Sequence, residues 1–212
     1  MDLGRKEFLQ LAAVVAAAAL FGIVLRAEKP VGRNVADNAT VRAVQQDQSS
    51  PSDDNPAADL TLTVFSDYRC PACRAAHPAM KRAVESDGKV RIVYKDWPIF
   101  GEASERAAQV ALAANFQNIY PAVHDRLMTG PTSNGDALRS AVERSGGDWR
   151  RLQGDLATRR SEITAQLERN AQQAFGLGLG GTPGYLIGPI LVRGALDEAE
   201  FRRTFKKARQ ER

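Results

Sequence analysis

The chain has two cysteines, Cys70 and Cys73, in the stretch FSDYRCPACRAAHP that runs from Phe65 to Pro78. Two thiols at this spacing suit three chemistries: a structural disulfide, part of a metal site, or electron transfer by thiol–disulfide exchange. A closed zinc site takes four ligands, and only His77 and His124 could add neutral nitrogen donors. Cys70, Cys73 and His77 share helical spacing, but Pro78 follows directly and would bend that helix. His77 is expected to face solvent, and His124 to be an ordinary helix residue. A non-catalytic copper-binding chaperone using the same thiols is the rival reading. It calls for methionine or histidine clusters, and the chain holds three Met and two His. Redox chemistry is the favoured reading. It requires no metal and no organic cofactor, because the dithiol carries the electrons itself.

The elements around the thiols fit that chemistry. LTLTVF, Leu60 to Phe65, is apolar and β-branched and reads as a buried strand. SDYR is a turn, and Cys70 then opens a helix through CRAAHPAMKRAVES. Free N–H groups and the positive dipole end at a helix N-terminus favour an anion, so a thiolate on Cys70 becomes easier to form. Pro71 occupies the first turn, where its missing N–H costs little. Cys73, one turn on, is expected to be the more buried, resolving thiol. Far along the chain, GLGLGGTPGYLIGPILVRG spans Gly176 to Gly194. Its G-x-G-x-x-G match at Gly176, Gly178 and Gly181 leads into a strand rather than a helix, so it is no dinucleotide fingerprint. Thr182-Pro183 entering a strand predicts a tight, cis X-Pro bond. YLIG and ILVRG then read as a hairpin, and DEAEFRRTFKKARQ as a terminal helix with Asp197 as its N-cap.

Strand, CPAC helix, a later Thr-Pro before a hairpin and a closing helix resemble the thioredoxin fold. RIVYKDWPIFGEASERAAQVALAA, Arg91 to Ala114, narrows the resemblance to the DsbA-family thiol–disulfide oxidoreductases of the bacterial cell envelope. The resemblance implies an α/β thioredoxin fold over residues 60–210 with a helical domain inserted at about 101–175. It implies Cys70, Cys73 and Pro183 as catalytic residues. Thr182, Pro71, Ala72 and Tyr68 become candidate substrate contacts, and the Thr182 backbone an edge on which an extended peptide could pair. Phe65 and Tyr185 are further candidates for a peptide groove, with core packing as the alternative. The implied reaction is donation of the Cys70–Cys73 disulfide to exported proteins bearing cysteine thiols. A membrane redox partner, quinone-linked by the same resemblance, would restore the oxidised dithiol. A disulfide reductase or isomerase is the alternative, since Thr182 before Pro183 resembles several isomerases of the superfamily. One departure stands out. Many relatives carry a buried Glu six residues before the first cysteine, and here that position is Val64. Asp67 is the nearest acid.

The N-terminus determines where such chemistry would operate. From Phe8 to Leu25 only Gln10 is polar, and Arg5 and Lys6 precede the run. As a helix it would span roughly 27 Å, close to the hydrocarbon thickness of a bilayer. Residues 1–26 therefore read as a signal-anchor or a signal peptide, with the retained anchor favoured because Leu25-Arg26-Ala27 is a poor cleavage site. Residues 27–59, rich in Asn, Asp, Gln, Ser and Pro, read as a flexible linker. The expected location is the extracytoplasmic face of the inner membrane, with residues 8–25 as the tether. At 212 residues and 43% hydrophobic content, the chain can build its core without disulfide staples. The net charge of +4 gathers in FRRTFKKARQER, which reads as a solvated helix face. No nucleic-acid motif accompanies it, and no nucleic-acid partner is expected.

Overall fold

The computed structural model describes residue 14 and residues 32–132 and 134–211. Its elements in chain order are β1 (Arg33–Asn34), α1 (Ala39–Gln46), β2 (Leu60–Ser66), α2 (Pro71–Asp87) and β3 (Val90–Asp96). Helices α3 (Glu102–Asn115), α4 (Tyr120–Thr129), α5 (Gly135–Glu143), α6 (Trp149–Thr158) and α7 (Arg160–Gly176) follow. The chain returns to the sheet as β4 (Gly184–Ile187) and β5 (Ile190–Arg193) and ends in α8 (Glu198–Gln210).

β2 and β3 are near-continuous apolar runs, the pattern of strands covered on both faces, and all but one residue of each is buried. They pair in parallel, which requires a crossover, and α2 supplies it. On its other side β2 pairs antiparallel with β4, and the sheet order is β1-β5-β4-β2-β3. α8 starts at a capping box in which Asp197 accepts from the Glu200 N–H and the Glu200 side chain accepts from the Asp197 N–H. Its apolar side buries Phe201 and Phe205, with Phe201 edge-on to Tyr185 at 5.0 Å. Arg209, in the basic terminal run, forks onto Asp87 and Asp59. Within the inserted helices, α3 buries Ala107, Ala108, Ala111, Ala113 and Ala114. These short side chains let α4 and α6 approach closely.

The flexible-linker expectation for residues 27–59 is corrected from residue 32 onward. β1 pairs with β5, and the Val35 N–H donates to the Pro189 carbonyl at 2.9 Å. Val35, Val41 and Val44 join Phe65, Trp97, Leu179 and Leu191 in one hydrophobic cluster. Farther on, the Tyr94 N–H donates to the Pro51 carbonyl and Asp53 Oδ1 accepts from the Ile92 N–H at 2.6 Å, so this stretch lies along the outer edge of β3. α1 is short and its composition is polar, but valines one turn apart give it one apolar stripe, too brief to stand out as a period. The membrane segment expected at residues 8–25 lies, apart from Val14, outside the described residues. Among the described residues no helix is long and apolar enough to cross a membrane.

The strongest anchor of this arm is ionic. Lys95 is 0% exposed, and its Nζ donates to Asp47 Oδ2 at 2.6 Å. Gln173 Nε2 reaches the same oxygen at 3.1 Å, and Ser49 donates to Oδ1. Burial works against the Asp47 carboxylate, but the hydrogen bonds from Lys95 and Ser49 outweigh it and hold the carboxyl down at about 2. Removing one partner of a buried pair costs about 3–5 kcal/mol. Asp47→Ala is therefore expected to lower unfolding stability by about that much in a urea titration, with part of the loss recovered by Lys95→Met in the same chain. A folded-state pKa below the unfolded one means stability that is full above pH 4 and fades as the pH falls toward 2. Asp47→Asn should flatten that acid limb.

Candidate active site

Cys70 is the N-cap of α2, with extended backbone (φ −71°, ψ 116°) and Pro71 at the first helical position. Its sulfur lies 3.4 Å from the Cys73 N–H that donates to it, and its thiol is 3.4 Å from the Thr182 carbonyl oxygen. These contacts place the sulfur where the helix has unspent N–H groups, the best local position for negative charge. Both thiols are free in this structure. Thr182-Pro183 is a cis peptide, and the Pro183 carbonyl accepts from the Gly194 N–H at 2.9 Å. The loop is tight: a Cβ on Gly184 would sit 2.6 Å from the Leu179 side chain. Thr182 Oγ1 is buried, and the Thr182 side chain works against the effect of burial on Cys73.

Exposure does not separate the two sulfurs as the sequence suggested, since Cys70 is 2% and Cys73 3% exposed. The asymmetry is chemical. Burial pushes the Cys73 thiol up to about 12, whereas Cys70 caps the helix and accepts the Cys73 N–H. Pro71 and Ala72 are exposed beside the sulfurs. Tyr68 is not available to substrate and is corrected as a contact residue: it is fully buried, and its hydroxyl bonds His124 Nδ1 at 2.8 Å. Phe65 and Tyr185 belong to the core.

Two residues outside the expected catalytic and substrate-contact set position the site. Asp67 is buried, and its Oδ2 accepts from the Ile99 N–H at 2.6 Å and the Phe100 N–H at 3.1 Å. Its Oδ1 accepts from the Arg69 N–H and from the Ser104 hydroxyl. The carboxylate therefore fastens the turn before Cys70 to the segment after β3, and its oxygens are spent on that task rather than on the thiols. Arg74 donates Nη1 to the carbonyls of Tyr68 and Leu127 and Nη2 to that of Gly130, which ties α2 to α4. An Asp three residues before a helix-capping cysteine was the available signal for the first; nothing in the sequence marks the second.

His77 is also corrected. It is 5% exposed, with Nε2 at 3.0 Å from Asp125 Oδ1. His124 is no ordinary helix residue either. It sits among Tyr68, Tyr94, Tyr120 and His77, and the Tyr120 hydroxyl donates to both oxygens of Asp96 at 2.9 Å. Burial lowers His124 to about 3, so the ring is neutral. Burial raises Asp96 to about 7 against its tyrosine hydrogen bonds. Between this cluster and the thiols lies a small cavity lined by Val64, Ser66, Cys73, His77, His124 and Pro183, and its volume of ≈ 10 Å³ is about one water site. Among the described residues no group of three His, Cys, Asp or Glu side chains could hold a metal.

Fold and site together define a thioredoxin-fold protein of the DsbA type: a helix-capping dithiol facing a cis-proline loop, with a helical insertion beside it. The family model for thioredoxin matches residues 54–207, and the chain belongs to that family. A thioredoxin-like oxidoreductase from Silicibacter pomeroyi DSS-3 is 34% identical, covering 82% of this chain and 98% of that one, with a TM-score of 0.72. The thiol-disulfide exchange protein alpha-DsbA2 from Wolbachia pipientis is 26% identical over 82% of this chain and 98% of its own, with a TM-score of 0.73. The catalytic domain of Proteus mirabilis ScsC is 26% identical over 80% of this chain and 94% of its own, with a TM-score of 0.70. A curated relative is the Na(+)/H(+) antiporter NhaA 3 of Salinispora tropica, 28% identical over 137 residues. The match takes in 61% of this chain and 20% of the antiporter, so the chain spans about a fifth of the length of the curated relatives it matches.

Asp96 and His124 pull stability in opposite directions with pH. A folded pKa raised from 3.8 to about 7 gives Asp96 a contribution present below pH 4 and lost as the pH rises through 7. A folded pKa lowered from 6.5 to about 3 gives His124 a contribution present above pH 6.5 and lost as the pH falls toward 3. Between pH 4 and 6.5 the two slopes offset each other. Asp96→Asn removes only the first. The stability of this variant relative to the unmodified protein should therefore rise with pH over that window, by at most about 1.4 kcal/mol per pH unit. Chemical denaturation at a series of pH values checks it, and parallel curves would sink the assignment.

Proposed function

We propose that the protein is an extracytoplasmic thiol–disulfide oxidoreductase that donates the Cys70–Cys73 disulfide to exported proteins. The observation that carries the reading is Cys70 itself: a sulfur on a helix N-terminus, contacted by the Thr182 carbonyl at 3.4 Å and flanked by exposed Pro71 and Ala72. A substrate thiolate attacks Cys70, the Cys70–Cys73 bond breaks, and Cys73 leaves with its electron pair. A second substrate thiol then attacks the substrate sulfur of the mixed disulfide, so the substrate leaves oxidised and the enzyme reduced. The substrate segment lies extended beside the half-buried Thr182, whose backbone precedes β4. Pro183 has no N–H and places no donor beside the sulfurs.

Location supports the donor direction. An exported dithiol meets newly translocated proteins whose cysteines need pairing, and a chain with only these two cysteines cannot mispair with itself. The apolar run at residues 8–25 favours a tether to the inner membrane, where a membrane redox partner restores the disulfide. A solved relative from Salmonella enterica, 26% identical, is described as periplasmic, which supports the same compartment. A metal-carrying role is disfavoured by the donor set, because His77 Nε2 is engaged with Asp125.

Cys70→Ser is expected to abolish thiol transfer, and Cys73→Ala to trap mixed disulfides with substrate. Trapping by a Cys70 variant instead would reverse the roles. The reduction potential decides direction: a value near that of DsbA, about −120 mV, fits the donor, and one near thioredoxin, about −270 mV, a reductase.

A further inference from the structure

The cavity beside Cys73 raises a question of proton balance. The thiolate is the nucleophile in exchange, yet burial pushes the Cys73 thiol up to about 12. At neutral pH only about one molecule in 10⁵ carries that thiolate unaided. A proton must leave as Cys73 attacks, or arrive as it departs. The groups around the cavity are Ser66 from β2, His77 from α2, His124 from α4 and Tyr185 from β4. Ser66 and Tyr185 are hydroxyls, and burial raises Tyr185 further. His124 has Nδ1 engaged by the Tyr68 hydroxyl, and behind it lie Tyr120 and Asp96, both buried. His77 differs from these. It faces the same cavity, and its Nε2 meets Asp125, whose side chain is 40% exposed. With Nε2–H donated to that carboxylate, the basic lone pair falls on Nδ1.

We propose that His77 carries the proton of Cys73 between the cavity and solvent, with Asp125 holding the imidazole and passing charge to the surface. This rests on the exchange reading above. When a mixed disulfide on Cys70 is resolved, the Cys73 S–H proton passes through a cavity water to His77. The sulfur attacks Cys70, the Cys70–Cys73 bond forms, and the bond to the other sulfur breaks with its electron pair going to the departing thiolate. In the donor direction Cys73 takes the pair from the breaking disulfide, and His77 returns the proton. No oxidant or reductant beyond the sulfurs is involved. The groups facing His77 are Cys73 and Lys81 on its own helix, His124 and Asp125 from α4, and Tyr185 from β4. Arg82, Glu85 and Arg126 line the outer groove. Lys81 Nζ lies 3.5 Å from Asp125 Oδ2, so the carboxylate stays charged beside the imidazole.

The test reacts the reduced full chain with glutathione disulfide. Samples are quenched in acid from pH 5 to 9, and the mixed and internal disulfides are counted by mass spectrometry. His77→Gln should leave the first step, attack by Cys70, unchanged. It should slow the second, attack by Cys73, by about 10²-fold at pH 7, with the gap closing toward pH 9 as hydroxide takes the proton. An unchanged second step with an unchanged pH profile overturns the proposal. If His77→Gln does not fold, exposed Asp125→Asn serves: the second step should shift its pH midpoint, and an unshifted midpoint overturns the proposal. In the unmodified protein the second step should also slow in D₂O, and an equal rate there counts against it. Absence of both steps in the unmodified protein would instead overturn the exchange reading, and this inference with it.

Discussion

The site depends on one register. Phe65 of β2 lies opposite Gly184 of β4, and Val64 opposite Tyr185. Each strand leads to one half of the site: β2 runs into the turn that delivers Cys70, and β4 begins directly after Pro183. Residues 112 positions apart in the chain thereby bring a thiol and a carbonyl within 3.4 Å. A slip of one residue would turn every side chain of the strand to the other face and carry the Thr182 carbonyl away from the sulfur. The apolar faces of β2 and β4, both fully covered, lock that register. The helices inserted between β3 and β4 leave it intact, because they enter and leave at the same end of the sheet.

Much of this was legible from local pattern. The apolar β-branched runs marked β2 and β3, the CPAC at a strand-to-helix junction marked the dithiol, and Thr-Pro before YLIG marked the cis loop. Each signal is contained in a few neighbouring residues. What escaped depends on partners distant in sequence. Tyr68 looked like a surface aromatic near a thiol, and only the arrival of His124 and Tyr120 shows its hydroxyl to be spent. His77 looked solvent-facing because α4, which covers it, belongs to the insertion. The arm from residue 32 to 59 is polar in composition, and its three valines count only once β5 and α7 are in place to receive them.

The buried polar groups share a logic. Lys95 and Asp96 are neighbours on β3, both fully covered, with opposite solutions. Lys95 keeps its charge by pairing with Asp47 from the arm. Asp96 has no cation within its hydrogen-bonding set and rests on tyrosine hydroxyls, with its carboxyl raised toward neutrality. Strand alternation sends the two side chains to opposite faces, so one edge of the sheet carries an ionic lock on one side and a neutral polar cluster on the other. The cluster side is the one that reaches the thiols.

Arg74 has a further consequence. Its guanidinium donates to the carbonyls of Tyr68, Leu127 and Gly130, and among the described residues it makes no ion pair. An arginine bound to carboxylates largely cancels its own field; one bound only to carbonyl dipoles keeps most of it. One full positive charge is thus fixed a single turn beyond Cys70, in a part of the molecule where salt screens weakly. It adds to the positive N-terminal end of α2 and offsets the buried Asp67 carboxylate in the turn before Cys70. A thiolate forming at the CPAC end of the helix therefore has a fixed cation one turn away, independent of any ion that binds from solution.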